Sequence, residues 1–249
     1  MKMSKKLIIT LAVLSFTSML FAQANKKESE TSVESEYLND VDGEIIMGLA
    51  NSDEFDNKLV ALQYLQQAVE EGNVTDQVVA ALDKLAGEGV TNQTRTGRRL
   101  SNNFPEIRRQ ACLLLAKVPT EHSKNTLINV AIADNEPMVI AAAVFSLGEI
   151  GINNNDETVE AIAFANKRNQ VLNPTSSLAS EVLTAYEKLA DKTENKKTMI
   201  NSITLIASDY HYVTPVRDKA QKLLKKMSSQ SDKSNSKKSS SKTSTGNAK

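Results

Sequence analysis

Apolar residues recur along this chain at intervals of three and four positions, which is the spacing of helices with one buried face. Five segments align on a common frame, in which an alanine stands six residues after the segment start and a leucine ten residues after it. The segments start at Phe55, Pro105, Pro137, Asn173 and Thr214, at intervals of 50, 32, 36 and 41 residues. Repeats of this length predict stacked helical pairs.

The small-then-large order of the frame has a geometric reason. A leucine four residues after an alanine lies on the same helix face, one turn further along. The alanine allows two backbones to approach closely, and the leucine fills the seam between them. The aligned alanines are Ala61, Ala111, Ala143, Ala179 and Ala220, and the aligned leucines are Leu65, Leu115, Leu147, Leu183 and Leu224. Because one helical pair cannot bury its own apolar stripe, neighbouring pairs are expected to pack together.

Five helical pairs are predicted, with one polar interruption, Thr91–Asn102, which is expected to hold a helical turn. The first helices of the pairs are predicted over 41–50, from after Asp76 to Gly87, over 121–133, from 157 onward, and around 199–206. The second helices are predicted over 54–71, 104–117 and 136–149, from the Asn173-Pro174 cap to about 189, and over 214–227. Ile45, Phe164 and Ile200 are among the residues expected to point inward. Glycine and proline are sparse and stand mostly at segment ends, which favours helices over a sandwich or barrel.

The N-terminus has the pattern of a secretory signal peptide. Lys2, Lys5 and Lys6 precede an apolar run from Leu7 to Phe21, and Ala22-Gln23-Ala24 follows as a cleavage site. The run is short for a membrane span, which needs about 20 residues. Cleavage after Ala24 is expected, and an uncleaved anchor is the alternative. No cysteine stands at the cleavage site, so a lipid anchor is not expected, and the predicted location is periplasmic or secreted.

The formal net charge is zero, but the charges are separated along the chain. Residues 25–56 hold ten acidic residues and two lysines, whereas residues 228–249 hold five lysines, one aspartate and nine serines. The segment 228–249 has almost no apolar residues and cannot offset the entropy of ordering, and Asn25–Glu36 is expected to behave in the same way. The predicted organisation is therefore a signal peptide (1–24), an acidic disordered linker (25–40), a helical-repeat domain (41–227) and a disordered Lys/Ser-rich tail (228–249).

Three of the five segments resemble the second helix of a HEAT repeat. The motif residues are Pro105, Ile107, Arg108, Ala111 and Leu115; Pro137, Val139, Ala143, Leu147 and Gly148; and Val216, Arg217, Ala220 and Leu224. The segments from Phe55 and Asn173 keep the alanine and leucine but lack the Val-Arg pair. The resemblance implies an all-α fold, a right-handed α-solenoid whose second helices line a concave face, and it implies that Arg108 and Arg217 make structural contacts between repeats. Such folds mostly bind proteins.

Five of the seven arginines fall between residues 95 and 109. Arginine is suited to bidentate contacts with carboxylate or phosphate. Arg95, Arg98, Arg99 and Arg109 are therefore candidate partner-binding residues, forming a docking patch for an acidic partner surface. The alternative is a solvated loop that carries no function.

The sequence offers no catalytic residues, no cofactor-binding residues and no metal ligands. His122 and His211 are the only histidines, and neither has metal-ligand spacing. Nucleophile-elbow, phosphate-loop and dinucleotide-glycine motifs are missing. Cys112, the single cysteine, is expected to be a small buried residue.

These features predict a non-enzymatic, exported scaffold that binds a protein partner in the cell envelope through its helical surface. Neither nucleic acid nor a small-molecule substrate is expected. The alternative is an envelope-associated accessory subunit that its charged termini tether to anionic envelope components, with the C-terminal tail making a weak, salt-sensitive contact.

Overall fold

A computed structural model describes residues 33–240, with side chains for residues 42–229. The predicted signal peptide, residues 25–32 of the predicted linker and residues 241–249 of the predicted tail lie outside the described residues. The chain divides after Asp42 into two units. The described part of the N-terminal unit is the first half of one helix. The helical pairs belong to the unit that begins at Gly43.

The described residues form an all-α fold of ten α-helices and one short β-hairpin. The helices are α1 (Val33–Asn51), α2 (Phe55–Glu71), α3 (Asp76–Ala86), α4 (Pro105–Leu115), α5 (Glu121–Ala133), α6 (Pro137–Ile150), α7 (Glu157–Leu172), α8 (Ser176–Leu189), α9 (Lys197–Ser208) and α10 (Thr214–Ser240). Strands β1 (Arg95–Thr96) and β2 (Arg99–Leu100) lie between α3 and α4. Odd-numbered helices are the first helix of a pair, and even-numbered helices are the second.

The predicted helical pairs are all present, and α5 has the predicted bounds. Two helices are longer than predicted: α1 begins at Val33, within the segment predicted to be a disordered linker, and α10 continues to Ser240, within the predicted disordered tail. Neither extension contains glycine or proline, the two residues that most strongly end a helix. The segment Thr91–Asn102 forms the β-hairpin, so the predicted helical turn there is wrong.

The helices pack in two layers that follow the chain order. The second helices contact one another in the order α2, α4, α6, α8, α10, and the first helices do so in the order α3, α5, α7, α9. In the second to fifth pairs, the first helix packs against its own second helix. The core of the molecule therefore lies between the layers and between successive helices of each layer.

The connections between helices lie along two opposite edges. The intrapair edge is the side on which the first helix of each pair connects to its own second helix. Successive pairs are joined there by hydrogen bonds: Arg108 donates to Asp134, Gln170 donates to Asp209, and the Val213 N–H donates to Ser176. The opposite side, the interpair edge, holds the connections from one pair to the next. There, for example, Asp156 accepts hydrogen bonds from the backbone N–H groups of Glu194 and Asn195.

The alanine–leucine frame is buried as predicted. All five aligned alanines have at most 1% of their surface exposed, four of the aligned leucines are fully buried, and Leu224 is partly buried against the core. At Gly148 of α6 two second helices approach closely, because an added Cβ would lie 2.8 Å from the Cα of Ala185 in α8. Close backbone packing between second helices thus follows from small residues at defined positions.

Three residues predicted to point inward are exposed. Ile45 is 51% exposed, Phe164 is 52% exposed and Ile200 is 39% exposed. Each of their helices buries a different stripe, which for α7 contains Val159, Ile162 and Ala165. Phe164 lies two positions after Ile162, about 200° around the helix, and therefore faces away from that stripe.

None of the described helices is both long enough and apolar enough to cross a lipid bilayer.

Candidate binding surfaces

The four candidate arginines fall on two separate features. Arg95, Arg98 and Arg99 lie in or between the strands of the β-hairpin and are exposed. Arg109 belongs to α4, half-buried on the outward face of the second helices. The four arginines are close in sequence, but they belong to a hairpin and to a helix and do not form one patch.

The hairpin displays its arginines in different directions. Arg95 stands opposite Leu100 and Thr96 stands opposite Arg99, so a two-residue turn of Gly97 and Arg98 joins the strands. Gly97 has a φ of +65°, a conformation that favours glycine in such tight turns. Because side chains alternate along a strand, Arg95 and Arg99 lie on opposite faces of the hairpin. No carboxylate within residues 42–229 forms an ion pair with Arg95, Arg98 or Arg99.

The base of the hairpin is held by a buried asparagine. Asn102 donates hydrogen bonds from Nδ2 to Glu88 Oε1 and to the carbonyl of Asn92, both at 2.6 Å, and its Oδ1 accepts one from the N–H of Thr94. Only 2% of Asn102 is exposed. The strands therefore project from a fixed base, and this reduces the entropy lost when the hairpin binds a ligand.

Arg108 is buried and links three segments of the chain. Its Nε donates a 2.6 Å hydrogen bond to Asp134 Oδ2, and its Nη2 donates to the other carboxylate oxygen at 3.2 Å. Its Nη1 donates to the Glu88 carbonyl and to Asn103 Oδ1. The structural contacts expected of Arg108 between successive pairs are thus present. Arg217, in contrast, is half-buried, and its Nη2 donates a 3.2 Å hydrogen bond to Thr214 Oγ1 of its own helix.

Lys58 occupies the frame position of Arg108, one pair earlier, and sequence reasoning missed it. Its Nζ lies 3.1 Å from Glu88 Oε2 and donates a 2.9 Å hydrogen bond to the carbonyl of Ala50. Like Arg108, it pairs with a carboxylate that follows the first helix of the next pair. The sequence does carry a signal for this ion pair: Lys58 stands three residues after a segment start, and Glu88 follows the first helix of the next pair.

The outward face of the second helices carries a groove of about 330 Å³ that crosses α4, α6 and α8. Its floor is apolar, and its two ends carry opposite charges, Arg109 on α4 and Glu181 on α8. The lining residues are Arg109, Leu113, Met138, Ala141, Ala142, Phe145, Ser177 and Glu181. Six of these eight stand four or eight residues after a segment start, so the frame that buries the alanines also defines the groove.

The histidines and the cysteine take no part in either feature. His122 hydrogen-bonds to Asp83, and His211 Nδ1 lies 2.7 Å from Asp209 Oδ1. Cys112 is fully buried; burial raises the pKa of its thiol, an effect that the charge of Asp134 reinforces and that of Arg108 opposes. Within the described residues, no three His, Cys, Asp or Glu side chains are placed to hold a metal ion.

Comparison with known proteins adds no relative: no family model, no curated protein and no solved structure matches this chain. Functional inference therefore depends on the geometry of the chain itself.

Proposed function

We propose that this protein is an exported, non-enzymatic scaffold, a right-handed α-solenoid of five HEAT-like pairs, that binds a protein partner of the cell envelope along its second helices. The buried alanine–leucine frame and the chain-order contacts within each layer support the solenoid. The signal-peptide pattern of residues 1–24 supports export.

The observation that carries the binding proposal is the groove across α4, α6 and α8. An apolar floor gives affinity through burial, whereas the charges at the ends fix the orientation of what binds. Met138 is 42% exposed there, and methionine adapts to irregular partner surfaces. The groove fits a peptide segment in which apolar side chains are flanked by an acidic residue facing Arg109 and a basic residue facing Glu181.

Site-specific photocrosslinking tests this proposal. A photoreactive side chain in place of Met138 is expected to give a discrete crosslinked species in cells that naturally make the protein. The same probe in place of Thr204, an exposed residue of the first-helix layer, is expected to give none. Glu181→Lys should weaken the Met138 crosslink about tenfold, because it leaves a basic group of the partner facing a like charge.

Equal crosslinking from Met138 and Thr204 would contradict binding in the groove.

Deletion of residues 228–249 separates this proposal from the tether alternative. A groove contact is expected to survive the deletion and several hundred millimolar salt, whereas a contact made by the Lys/Ser-rich tail would be lost in both conditions.

A further inference from the structure

The intrapair edge carries the most exposed large apolar side chains among the described residues. Tyr210 is 79% exposed, Val171 is 78% exposed and Leu172 is 69% exposed, and Val213 follows at 54%. Soluble proteins seldom group such side chains without a function for the patch.

These side chains lie at the C-terminal end of α7 and in the α9–α10 connection, which are joined to each other. Gln170, at the end of α7, donates a 2.7 Å hydrogen bond to Asp209, at the start of the α9–α10 connection. Val171 and Leu172 directly follow Gln170, while Tyr210 directly follows Asp209. On α7, Phe164, Lys167, Arg168, Val171 and Leu172 share one face and line a shallow concavity of about 400 Å³. The exposed apolar side chains thus lie on the adjoining ends of the fourth and fifth pairs, which we call the apolar cluster, and Lys167 is exposed beside them.

The same edge carries the β-hairpin with its three unpaired arginines. Arg108 joins the hairpin base to Asp134, and Arg168 donates hydrogen bonds to the carbonyls of Asp134 and Ile132. The edge is thus continuous from the hairpin to the apolar cluster. Two helix-to-helix steps of about 8–10 Å each separate the second pair from the fourth.

Several carboxylates also lie along this edge: Glu106 pairs with Arg109 in the first turn of α4, and Asp218 is exposed near the start of α10. Asp53 and Glu54 are exposed in the α1–α2 connection, before the hairpin, and Glu136 is half-buried between the clusters. Asp134 is already paired with Arg108. His211 Nδ1 lies 2.7 Å from Asp209 Oδ1.

We propose that the intrapair edge, from the β-hairpin to the α9–α10 connection, docks on the surface of a lipid bilayer that carries anionic headgroups. Arginines bind phosphate groups in bidentate geometry, and aromatic and aliphatic side chains enter the interface between headgroups and acyl chains. Stable attachment at an interface requires two such signals together. This surface is distinct from the groove and does not depend on partner binding there.

The spacing favours a bilayer over a folded acidic protein. About 16–20 Å, or two interhelical steps, separates the hairpin arginines from the apolar cluster, so the two do not share one concave site. A planar fluid surface contacts both clusters at once and needs no shape complementarity. A protein partner would need an acidic and an apolar patch at matching separation.

Vesicle co-sedimentation tests the proposal. The full chain is expressed and purified in the form that cells accumulate, so every variant has the same termini. Binding is expected to vesicles of phosphatidylcholine with phosphatidylglycerol, and not to phosphatidylcholine alone. Replacing Arg95, Arg98 and Arg99 with glutamine should weaken binding about 100-fold, since each of the three cations near an anionic surface contributes about fivefold. Replacing Val171, Leu172 and Tyr210 with serine should weaken it at least tenfold.

A matched control removes the same charge from the opposite edge. Lys197, Lys225 and Lys226 are exposed at the start of α9 and where α10 runs alongside it. Their replacement with glutamine is expected to change binding less than threefold. The proposal is overturned if the anionic vesicles do not bind the protein, or if the arginine variant binds as well as the lysine variant while both keep the wild-type circular dichroism. If the arginine variant no longer captures an acidic protein but binds vesicles as the wild type does, the edge binds a protein partner instead.

Discussion

Arg108→Ala is expected to lower the free energy of unfolding by about 3–5 kcal/mol, measured by urea denaturation. The substitution leaves the carboxylate of Asp134 buried with no cation, because the side chains of both residues are only 2% exposed. It also removes the donor that Glu88 O and Asn103 Oδ1 share. The loss is large because a buried charge without a partner cannot regain its hydration.

Arg109→Ala is the matched control, since it removes the neighbouring arginine from the same helix. The side chain of Arg109 is 41% exposed and its ion pair with Glu106 spans 3.3 Å, so a loss below about 1 kcal/mol is expected. Arg108→Met combined with Asp134→Leu should recover most of the stability, because an apolar pair leaves no buried charge. Equal losses for Arg108→Ala and Arg109→Ala would show that the buried pair does not hold the second and third pairs together.

Leu147→Asp is expected to prevent folding, with loss of helical circular dichroism at 25 °C. Leu147 is fully buried in α6, which contacts both α4 and α8. The change removes roughly 1.5–3 kcal/mol of apolar burial and adds a buried carboxylate that costs several kcal/mol. Domains are stable by only about 5–15 kcal/mol, so the combined loss exceeds what this fold can tolerate.

Leu172→Asp makes the same chemical change at a leucine that is 69% exposed. Its free energy of unfolding should stay within about 0.5 kcal/mol of the wild type. Leu147→Ala should give an intermediate loss of about 2–5 kcal/mol. A folded Leu147→Asp protein with a near-native unfolding midpoint would be incompatible with the packing described for α6.

The alanine–leucine frame was enough to predict the helical pairs, because it reflects contacts that every pair repeats. Single inward positions were harder to predict. Phe164 and Ile200 are apolar and lie in helices, but each lies on the exposed side of its helix. Apolar character alone does not distinguish a core residue from one on an exposed patch.

The β-hairpin could not be predicted from periodicity, because its two strands have only two residues each. Asn102 and Glu88 fix the base of the hairpin through contacts across 14 residues of sequence. Such contacts become visible only once the chain is folded. The separation of Arg109 from the hairpin arginines has the same origin, since helix α4 begins between them.

Lys58 shows a different limit. A motif that requires arginine overlooks a lysine, although both are cations and both pair with a carboxylate after the next first helix. The position of Lys58 in the repeat frame would have predicted its buried ion pair, whereas a search for arginine alone does not find it.

The account depends on the second helices forming one layer in chain order. Pulsed electron spin resonance on labels at Gln63 and Glu181, and in a second variant at Gln63 and Lys222, tests this most directly. All three positions stand eight residues after a segment start, on α2, α8 and α10. The account predicts a Gln63–Lys222 distance that exceeds the Gln63–Glu181 distance by about one interhelical spacing, 8–10 Å. A Gln63–Lys222 distance equal to or shorter than the Gln63–Glu181 distance would contradict it.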